Sequence, residues 1–203
     1  MNRPTQHTPE HILAAATTVF FGEGVGASTA KIASVAGVPN GTLFNHFPTK
    51  QALIDALYVS IKTDLADAFG DLDESQPVEH RMRQVWDRWL GWARLHRVEY
   101  AVASLLHQAG LASTDALAIG EAAMTAPVRL LEAARDAGLL VDLPLEYLRV
   151  LTQHHIDQAV TFDLDDRESD LAFRVLFNGI TRPTQDQAVV RRRSEEKPKE
   201  QPG

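Results

Sequence analysis

The chain has 203 residues, of which 44% are hydrophobic and 23% charged, and it contains no cysteine. This length suffices for one domain, or for a small module joined to a larger one with a substantial core. The lack of cysteine excludes disulfides, cysteine nucleophiles and thiolate metal sites. No apolar run reaches the roughly 18 residues of a membrane-spanning helix, and the N-terminus lacks the apolar stretch of a secretion signal, so we expect a soluble cytoplasmic protein.

The formal net charge of −7 at first argues against a nucleic-acid partner, but the charge is unevenly distributed. Residues 1–50 hold three basic and two acidic side chains, a charge of +1, and residues 51–203 hold 17 basic and 25 acidic ones, a charge of −8. Affinity for DNA depends on local basic charge more than on the total. A near-neutral N-terminal module could therefore bind DNA only through well-placed contacts, and two copies would help.

The pattern of apolar residues is helical nearly throughout, and no segment alternates apolar and polar residues long enough to indicate a sheet. A first helix is predicted to begin at Thr8, which suits an N-cap, with Pro9 in its first turn and Glu10 at its positive end. The glycine-rich segment 22–26 ends it. The sequence therefore predicts an all-α protein.

Two further helices have clear N-caps. Ser28 precedes the segment TAKIASVA, residues 29–36, which stops at Gly37. Thr49 precedes a long helix over residues 50–69, whose apolar positions recur in steps of three and four, as a helix facing a core requires.

The rest of the chain contains five more helical segments separated by polar or glycine-containing connections. They are predicted at about 78–96, 97–109, 113–137, 145–163 and 167–180. Pro127 is expected to kink or split the third of these segments. Together with a short helix between residues 37 and 50, the total is about nine helices. The polar residues 183–203 are predicted to form a disordered tail.

The stretch GVPNGTLFNHFPTK, residues 37–50, combines loop-forming and core-forming residues. Gly37 supplies a tight turn with positive φ, Pro39 suits the start of a second short helix, and the apolar Val38 and Leu43 pack that helix back on the first. These features predict a helix-turn-helix. Gly41 costs about 1 kcal/mol of helix propensity, which makes sense if this helix must approach another surface, such as a DNA backbone, closely.

Residues 12–57, ILAAATTVFFGEGVGASTAKIASVAGVPNGTLFNHFPTKQALIDAL, resemble the N-terminal region of TetR-family transcriptional regulators. The resemblance covers about a quarter of the chain. The matching positions follow the family pattern in order and without gaps. They are Ser28-Thr29, Ile32-Ala33, Ala36-Gly37-Val38, Gly41-Thr42-Leu43-Phe44, His46-Phe47 and Lys50.

The resemblance implies an all-helical homodimer with an N-terminal three-helix helix-turn-helix DNA-binding domain, here residues 1–50. It implies a larger ligand-binding and dimerisation domain, here residues 51–182. Members of the family mostly repress transcription and release a DNA operator when a small-molecule effector binds, and we expect the operator to be palindromic. The effector, the operator and the regulated genes cannot be read from this sequence, and activation in place of repression stays open.

The expected DNA-binding residues lie at the starts of the second, third and fourth helices. They are Ser28, Thr29, Pro39, Asn40, Gly41, Thr42, Phe44, His46 and Lys50. Ser28 and Thr29 could hold a phosphate at a positive helix end, or simply cap the helix. The Asn40 amide could read an adenine edge, or be an ordinary solvated side chain.

For three of these residues the expected contact with phosphate depends on the side chain. Phe44 replaces the family's usual tyrosine, and a phenyl ring cannot donate a hydrogen bond to phosphate. His46 would contact phosphate more strongly when protonated. Lys50 is expected either to contact phosphate or to be a solvated lysine.

The expected ligand-pocket residues are mostly aromatic, because large amphipathic rings often line apolar pockets. They are Trp86, Trp89, Trp92, Tyr100, His107, Met124 and Tyr147. The competing interpretation is that aromatic residues at helical spacing belong to the core.

The segment HHIDQ, residues 154–158, admits a metal site made with a histidine from elsewhere, but adjacent histidines point to different helix faces. The resemblance instead places the last two helices at a dimer interface. The expected interface residues are His154, His155, Gln158, Leu171, Val175, Leu176 and Ile180. We expect neither a metal nor another cofactor.

Two other functional classes remain as alternatives. An enzyme is disfavoured, since no recognisable Ser-His-Asp order, cysteine nucleophile or glycine-rich phosphate loop is present. A helical ligand-binding or scaffold dimer without DNA binding is favoured only by Phe44 and the sparse basic charge.

Overall fold

The computed structural model describes residues 8–182, and within that range every regular element is an α-helix. The N-terminal helices are α1 (Pro9–Glu23), α2 (Thr29–Ala36) and α3 (Asn40–His46). The longest helix, α4 (Lys50–Phe69), follows them. The remaining helices are α5 (Val78–Leu95), α6 (Arg97–Gln108), α7 (Thr114–Ala123), α8 (Thr125–Asp136), α9 (Leu145–Thr161) and α10 (Asp166–Ile180).

The expected all-α fold, with an N-terminal helix-turn-helix and a larger helical part, is confirmed. The described residues hold ten helices, one more than the sequence indicated. The segment predicted as a single helix over 113–137 is broken at Met124, which has ψ 44° and separates α7 from α8. Pro127 lies in the first turn of α8, where its missing N–H is tolerated, so the proline follows the break and does not form a kink within one helix.

Side-chain caps begin the helices at the positions that the sequence indicated. Thr8, Ser28 and Thr49 each accept a hydrogen bond from the backbone N–H three residues later, at 3.3, 3.2 and 3.0 Å. A further cap at Asp165 forms a reciprocal capping box with Glu168. Pro39 is the N-cap residue of α3, so α3 begins one residue later than its predicted first turn.

Helix α4 packs against α1, α5, α6, α7 and α8. Its buried residues, among them Leu53, Leu57, Ile61 and Leu65, join one continuous apolar cluster that extends from α1 to α10. The division of the chain at residue 50 stays a prediction, as does the disorder of 183–203, which lie outside the described residues.

The last described residues return to the loop that follows α8. The Val141 N–H donates to the Ile180 carbonyl at 2.9 Å, and the Arg182 N–H donates to the Leu139 carbonyl at 2.8 Å. From residue 8 to residue 182, no helix is both long enough and apolar enough to cross a membrane.

Candidate nucleic-acid interface and ligand cavity

Helices α2 and α3 form a rigid pair because the turn between them is closed by backbone bonds. Gly37 has φ 66°, in the left-handed region, and the Val38 N–H donates to the Ala33 carbonyl at 3.0 Å. Val38 is 7% exposed and Leu43 is fully buried, so α3 packs its inner face on α2. The sequence-predicted turn is therefore present.

The first turn of α3 faces outward. Pro39, Asn40 and Gly41 are exposed, Thr42 is half-buried, and Leu43 is buried. No atom lies within 4 Å of the position that a Gly41 Cβ would occupy. No contact inside the chain therefore requires glycine at position 41. The surface beside it is open to an outside partner.

The remaining expected contacts lie around this turn. Ser28 is exposed, Thr29 is half-buried, and the Ser28 hydroxyl oxygen caps α2 by accepting from the Lys31 N–H. Phe44 is 38% exposed and His46 is exposed. These side chains thus lie on α2 and α3 or at the N-cap of α2.

Lys50 is an exception among the expected contacts. Its ammonium group donates to the Val25 carbonyl at 2.6 Å and lies 5.9 Å from the centre of the Phe20 ring. The side chain is half-buried and fastens the loop after α1 to the start of α4, which does not fit the alternative of an ordinary solvated lysine. A phosphate contact would have to share this ammonium.

A cavity with a volume of about 730 Å³ lies among α4–α9. Five of the residues expected at a pocket line it: Trp89, Trp92, Tyr100, His107 and Met124. Cavities of this size hold small organic ligands in other proteins.

The two other expected pocket residues lie elsewhere. Trp86 is 2% exposed and points toward α10, where its indole N–H donates to the Ser169 hydroxyl oxygen at 2.9 Å. Its ring lines a separate apolar cavity of about 40 Å³. Tyr147 is 55% exposed and lines neither cavity. Trp86 thus lies at a different cavity and Tyr147 at neither of the two, because the faces of α5 and α9 are set by packing that helical spacing alone does not specify.

The cavity also carries charged groups that the sequence analysis missed. They are Lys62, Glu121, Glu146, Arg149 and Asp157. The sequence of α4 could have indicated the position of Lys62. Tyr58 and Lys62 stand four residues apart and so share a face with the buried Ile61 and Leu65.

A carboxylate and a phenol form the polar centre of one wall. The Tyr100 hydroxyl donates to Asp157 Oδ1, which also accepts from the Gln153 amide at 2.9 Å. Burial, with the nearby Asp157 charge, raises the pKa of Tyr100. Burial and the Glu121 charge likewise raise the pKa of Tyr58, whose ring stacks on His107.

The cations of the cavity differ in their surroundings. Arg149 is paired with Glu146, at 2.7 and 2.9 Å, and lies 3.7 Å from Glu121. Lys62 has no hydrogen-bond or ion-pair partner among residues 8–182, and burial lowers its pKa against the opposing effect of Asp157 and Glu121.

The expected interface residues divide into two groups. His154, Gln158, Leu171 and Val175 are exposed, the last two by 51% and 67%. His155 is half-buried, and one of its ring nitrogens lies 2.8 Å from the Ala172 carbonyl oxygen.

Leu176 and Ile180 are 7% and 1% exposed within the single chain. Their expected role at an interface is therefore corrected, because the apolar face of α10 that carries them packs into the chain's own core. Within the part of the chain that the structure describes, no three histidine, aspartate or glutamate side chains are close enough to hold a metal ion.

A hydrogen-bonded joint connects the start of α4 to the loop before α7. The Gln51 amide donates to the Leu111 carbonyl at 2.8 Å and to Asp55 Oδ1 at 2.9 Å, and the Ser113 N–H donates to the same Asp55 oxygen at 2.9 Å. These hydrogen bonds link the start of α4, which follows the helix-turn-helix, to α7, which lines the cavity.

Residues 12–57 match the family described as bacterial regulatory proteins, TetR family. The chain is also similar in structure to a protein from Shewanella sp. PV-4 assigned to TetR-family transcription regulators, with a TM-score of 0.81, 24% identity and coverage of 89% of this chain and 100% of that one.

Two other solved TetR-family regulators show the same likeness. For one from Marinobacter aquaeolei VT8 the TM-score is 0.74 at 16% identity, with 86% of this chain and 96% of that chain covered. For one from Haemophilus influenzae the TM-score is 0.72 at 20% identity, with the same coverage of each chain.

The fold and the exposed helix-turn-helix are similar to those of solved proteins assigned to transcription regulators. Residues 12–57 match the TetR family, and residues 8–182 are similar in fold to solved proteins assigned to that family. The resemblance drawn from the sequence is confirmed.

Proposed function

We propose that this protein is a ligand-responsive, sequence-specific DNA-binding regulator that acts as a homodimer, and that it represses transcription until a small molecule releases it from its operator. In this proposal the cavity binds the small molecule without turning it over, and α3 enters the major groove.

The observation that carries the proposal is the position of α4. Its first turns carry Lys50, Gln51 and Asp55, which bond to the loop after α1 and to the loop before α7. Two turns further on, Tyr58 and Lys62 form part of the cavity wall. One continuous helix therefore contacts both the helix-turn-helix and the cavity.

This connection supports a population shift between two arrangements of the recognition helices. The two α3 helices of a dimer must lie about 34–36 Å apart to enter successive major grooves. A molecule that fits the cavity better when α4 is tilted away from that spacing would lower DNA affinity. A ligand that binds both arrangements equally would release nothing.

The proposed contacts follow the exposure of the N-terminal helices. Asn40 reads a base edge, since an amide can pair with adenine, while Ser28, Thr29 and Thr42 hold phosphates. The open space at Gly41 lets the backbone of α3 approach the DNA closely. Few cations lie here, so the salt dependence of binding per protomer should be modest.

The proposed dimer interface uses the exposed faces of α9 and α10. Leu171 and Val175 lie one turn apart on α10, and both are more than half exposed. His154 and Gln158 stand four residues apart on α9 and are also exposed. Burying the apolar pair would remove surface that a single chain leaves in water.

The test is the selection of bound DNA from a random duplex pool by the purified protein at low and moderate salt. An enriched palindrome would support a dimeric regulator, and its half-site spacing would report the distance between recognition helices. Asn40→Ala should relax the preference at one base pair in each half-site. Gln76→Ala removes an exposed side-chain amide in the loop before α5, away from the proposed contacts, and should preserve the motif.

The alternative is a ligand-binding or scaffold dimer without DNA binding. The Lys50 ammonium bonded inside the chain and the phenyl ring of Phe44 favour it, because both reduce the donors available to phosphate. Failure to enrich any sequence at either salt concentration would support this alternative.

A further inference from the structure

The ammonium group of Lys62 is the unusual polar group of the cavity. Lys62 lies in the middle of α4, is half-buried, and lines the wall beside Tyr58 and Ile61. No described residue accepts a hydrogen bond from it or forms an ion pair with it. An ammonium that is partly withdrawn from water and has no partner is costly, and such groups are normally paired.

The carboxylates that could have paired with Lys62 have other donors. Asp157 accepts hydrogen bonds from the Tyr100 hydroxyl and the Gln153 amide. Glu121 lies in an ion pair with Arg149 at 3.7 Å, and Arg149 is itself held by Glu146. The cavity thus provides donors for its carboxylates and leaves the half-buried Lys62 without an acceptor among the described residues.

The rest of the wall is suited to an apolar body. Trp89, Trp92, Met124, Val128 and Leu131 line the same cavity. The volume of about 730 Å³ leaves room for a molecule with an aliphatic or aromatic portion beside a polar head.

We infer that the effector of this cavity is an amphipathic carboxylic acid, bound with its carboxylate on Lys62 and its apolar portion against Trp89 and Trp92. This inference rests on the proposed role of the cavity as an effector site. The ligand supplies the acceptor that Lys62 lacks, and its apolar portion fills the space between α5 and α8. Because Lys62 stands on α4, the charge of the ligand acts directly on the helix that reaches the helix-turn-helix.

The experiment measures direct binding to the full chain without DNA, using the quenching of tryptophan fluorescence together with calorimetry. The probes are decanoate and 4-phenylbutyrate, each compared with the alcohol and the primary amine of the same skeleton. We expect the carboxylates to bind more tightly than the alcohols by about tenfold or more, the worth of a charge-assisted hydrogen bond. The amines should bind most weakly.

Lys62→Met keeps most of the side-chain volume and removes the charge. It should weaken carboxylate binding by about 10- to 100-fold and leave binding of the alcohols unchanged. Lys31→Met removes an exposed lysine on α2, where Lys31 pairs with Glu23 at the surface, and should leave all probes unaffected. If Lys62→Met does not fold, the comparison of carboxylate, alcohol and amine probes on the unaltered chain still tests the inference.

Equal binding of the three head groups, tighter binding of the amines, or no binding of either carboxylate at millimolar concentration would overturn the inference. A separate assay follows release of the selected DNA. Carboxylate binding that depends on Lys62 but does not change DNA affinity would contradict the proposed function and leave the ligand chemistry intact. DNA release by an amine bound in the cavity would uphold the function and overturn the ligand chemistry.

Discussion

The close crossing of α4 and α7 depends on Gly120. A Cβ atom at this position would lie 2.8 Å from Cε1 of Tyr58 and 3.2 Å from Cγ of Lys62. The Tyr58 ring is 2% exposed and stacks on His107, so it has little freedom to move aside. Gly120→Ala should therefore force α7 away from α4.

The expected magnitude follows from two opposing contributions. Alanine gains about 1 kcal/mol of helix propensity over glycine. Overpacking a well-filled contact costs about 1–3 kcal/mol. Gly120→Ala should thus lower the free energy of unfolding by about 0–2 kcal/mol, and the displaced α7 should also alter DNA affinity or its response to ligand.

Gly91→Ala is the matched control. Gly91 lies within α5, and no atom is within 4 Å of the position of its missing Cβ. That substitution should stabilise the protein by up to about 1 kcal/mol. Urea unfolding followed by circular dichroism, at one fixed protein concentration, measures both variants. If Gly120→Ala were as stabilising as Gly91→Ala, the argument that α4 and α7 are in tight contact would be refuted.

Three further predictions concern single contacts. Ser169→Ala should lower the free energy of unfolding by about 1–3 kcal/mol, since it leaves the buried Trp86 N–H without an acceptor. Lys50→Met should cost about 1 kcal/mol, because the half-buried ammonium loses its bond to the Val25 carbonyl. Tyr100 has a raised pKa in the folded state, so its contribution to stability is full below about pH 10 and falls as the pH rises further. The stability of the unaltered chain relative to Tyr100→Phe should accordingly be constant below that pH and decline above it.

Each of these predictions has its own control in urea unfolding. Ser34→Ala, at an exposed serine of α2, should change the free energy of unfolding by less than about 0.5 kcal/mol, and a similar loss there would contradict the argument for Ser169. Lys31→Met breaks only a surface ion pair and should cost less than Lys50→Met. A difference between the unaltered chain and Tyr100→Phe that did not vary from neutral to alkaline pH would show that Tyr100 titrates as it does in the unfolded chain.

The sequence predicted the features that depend on residues close along the chain. Thr8, Ser28 and Thr49 cap helices because a cap needs only a side-chain oxygen and a backbone N–H three residues away. Gly37 closes the turn between α2 and α3 because a positive φ is a local property. The helix-turn-helix was predictable for the same reason.

Only the tertiary structure decided which helix face meets which neighbour. Trp86 and Trp89 stand three residues apart on α5, yet Trp86 bonds to α10 while Trp89 lines the large cavity. The Lys50 ammonium turned inward to a carbonyl 25 residues earlier in the chain.

The charged groups of the cavity were missed for the same reason. Lys62 and Asp157 lie 95 positions apart in the sequence and share a wall only because α4 and α9 enclose the same space. Helical spacing identifies a buried face, but the packing of distant helices determines whether that face meets core, cavity or solvent.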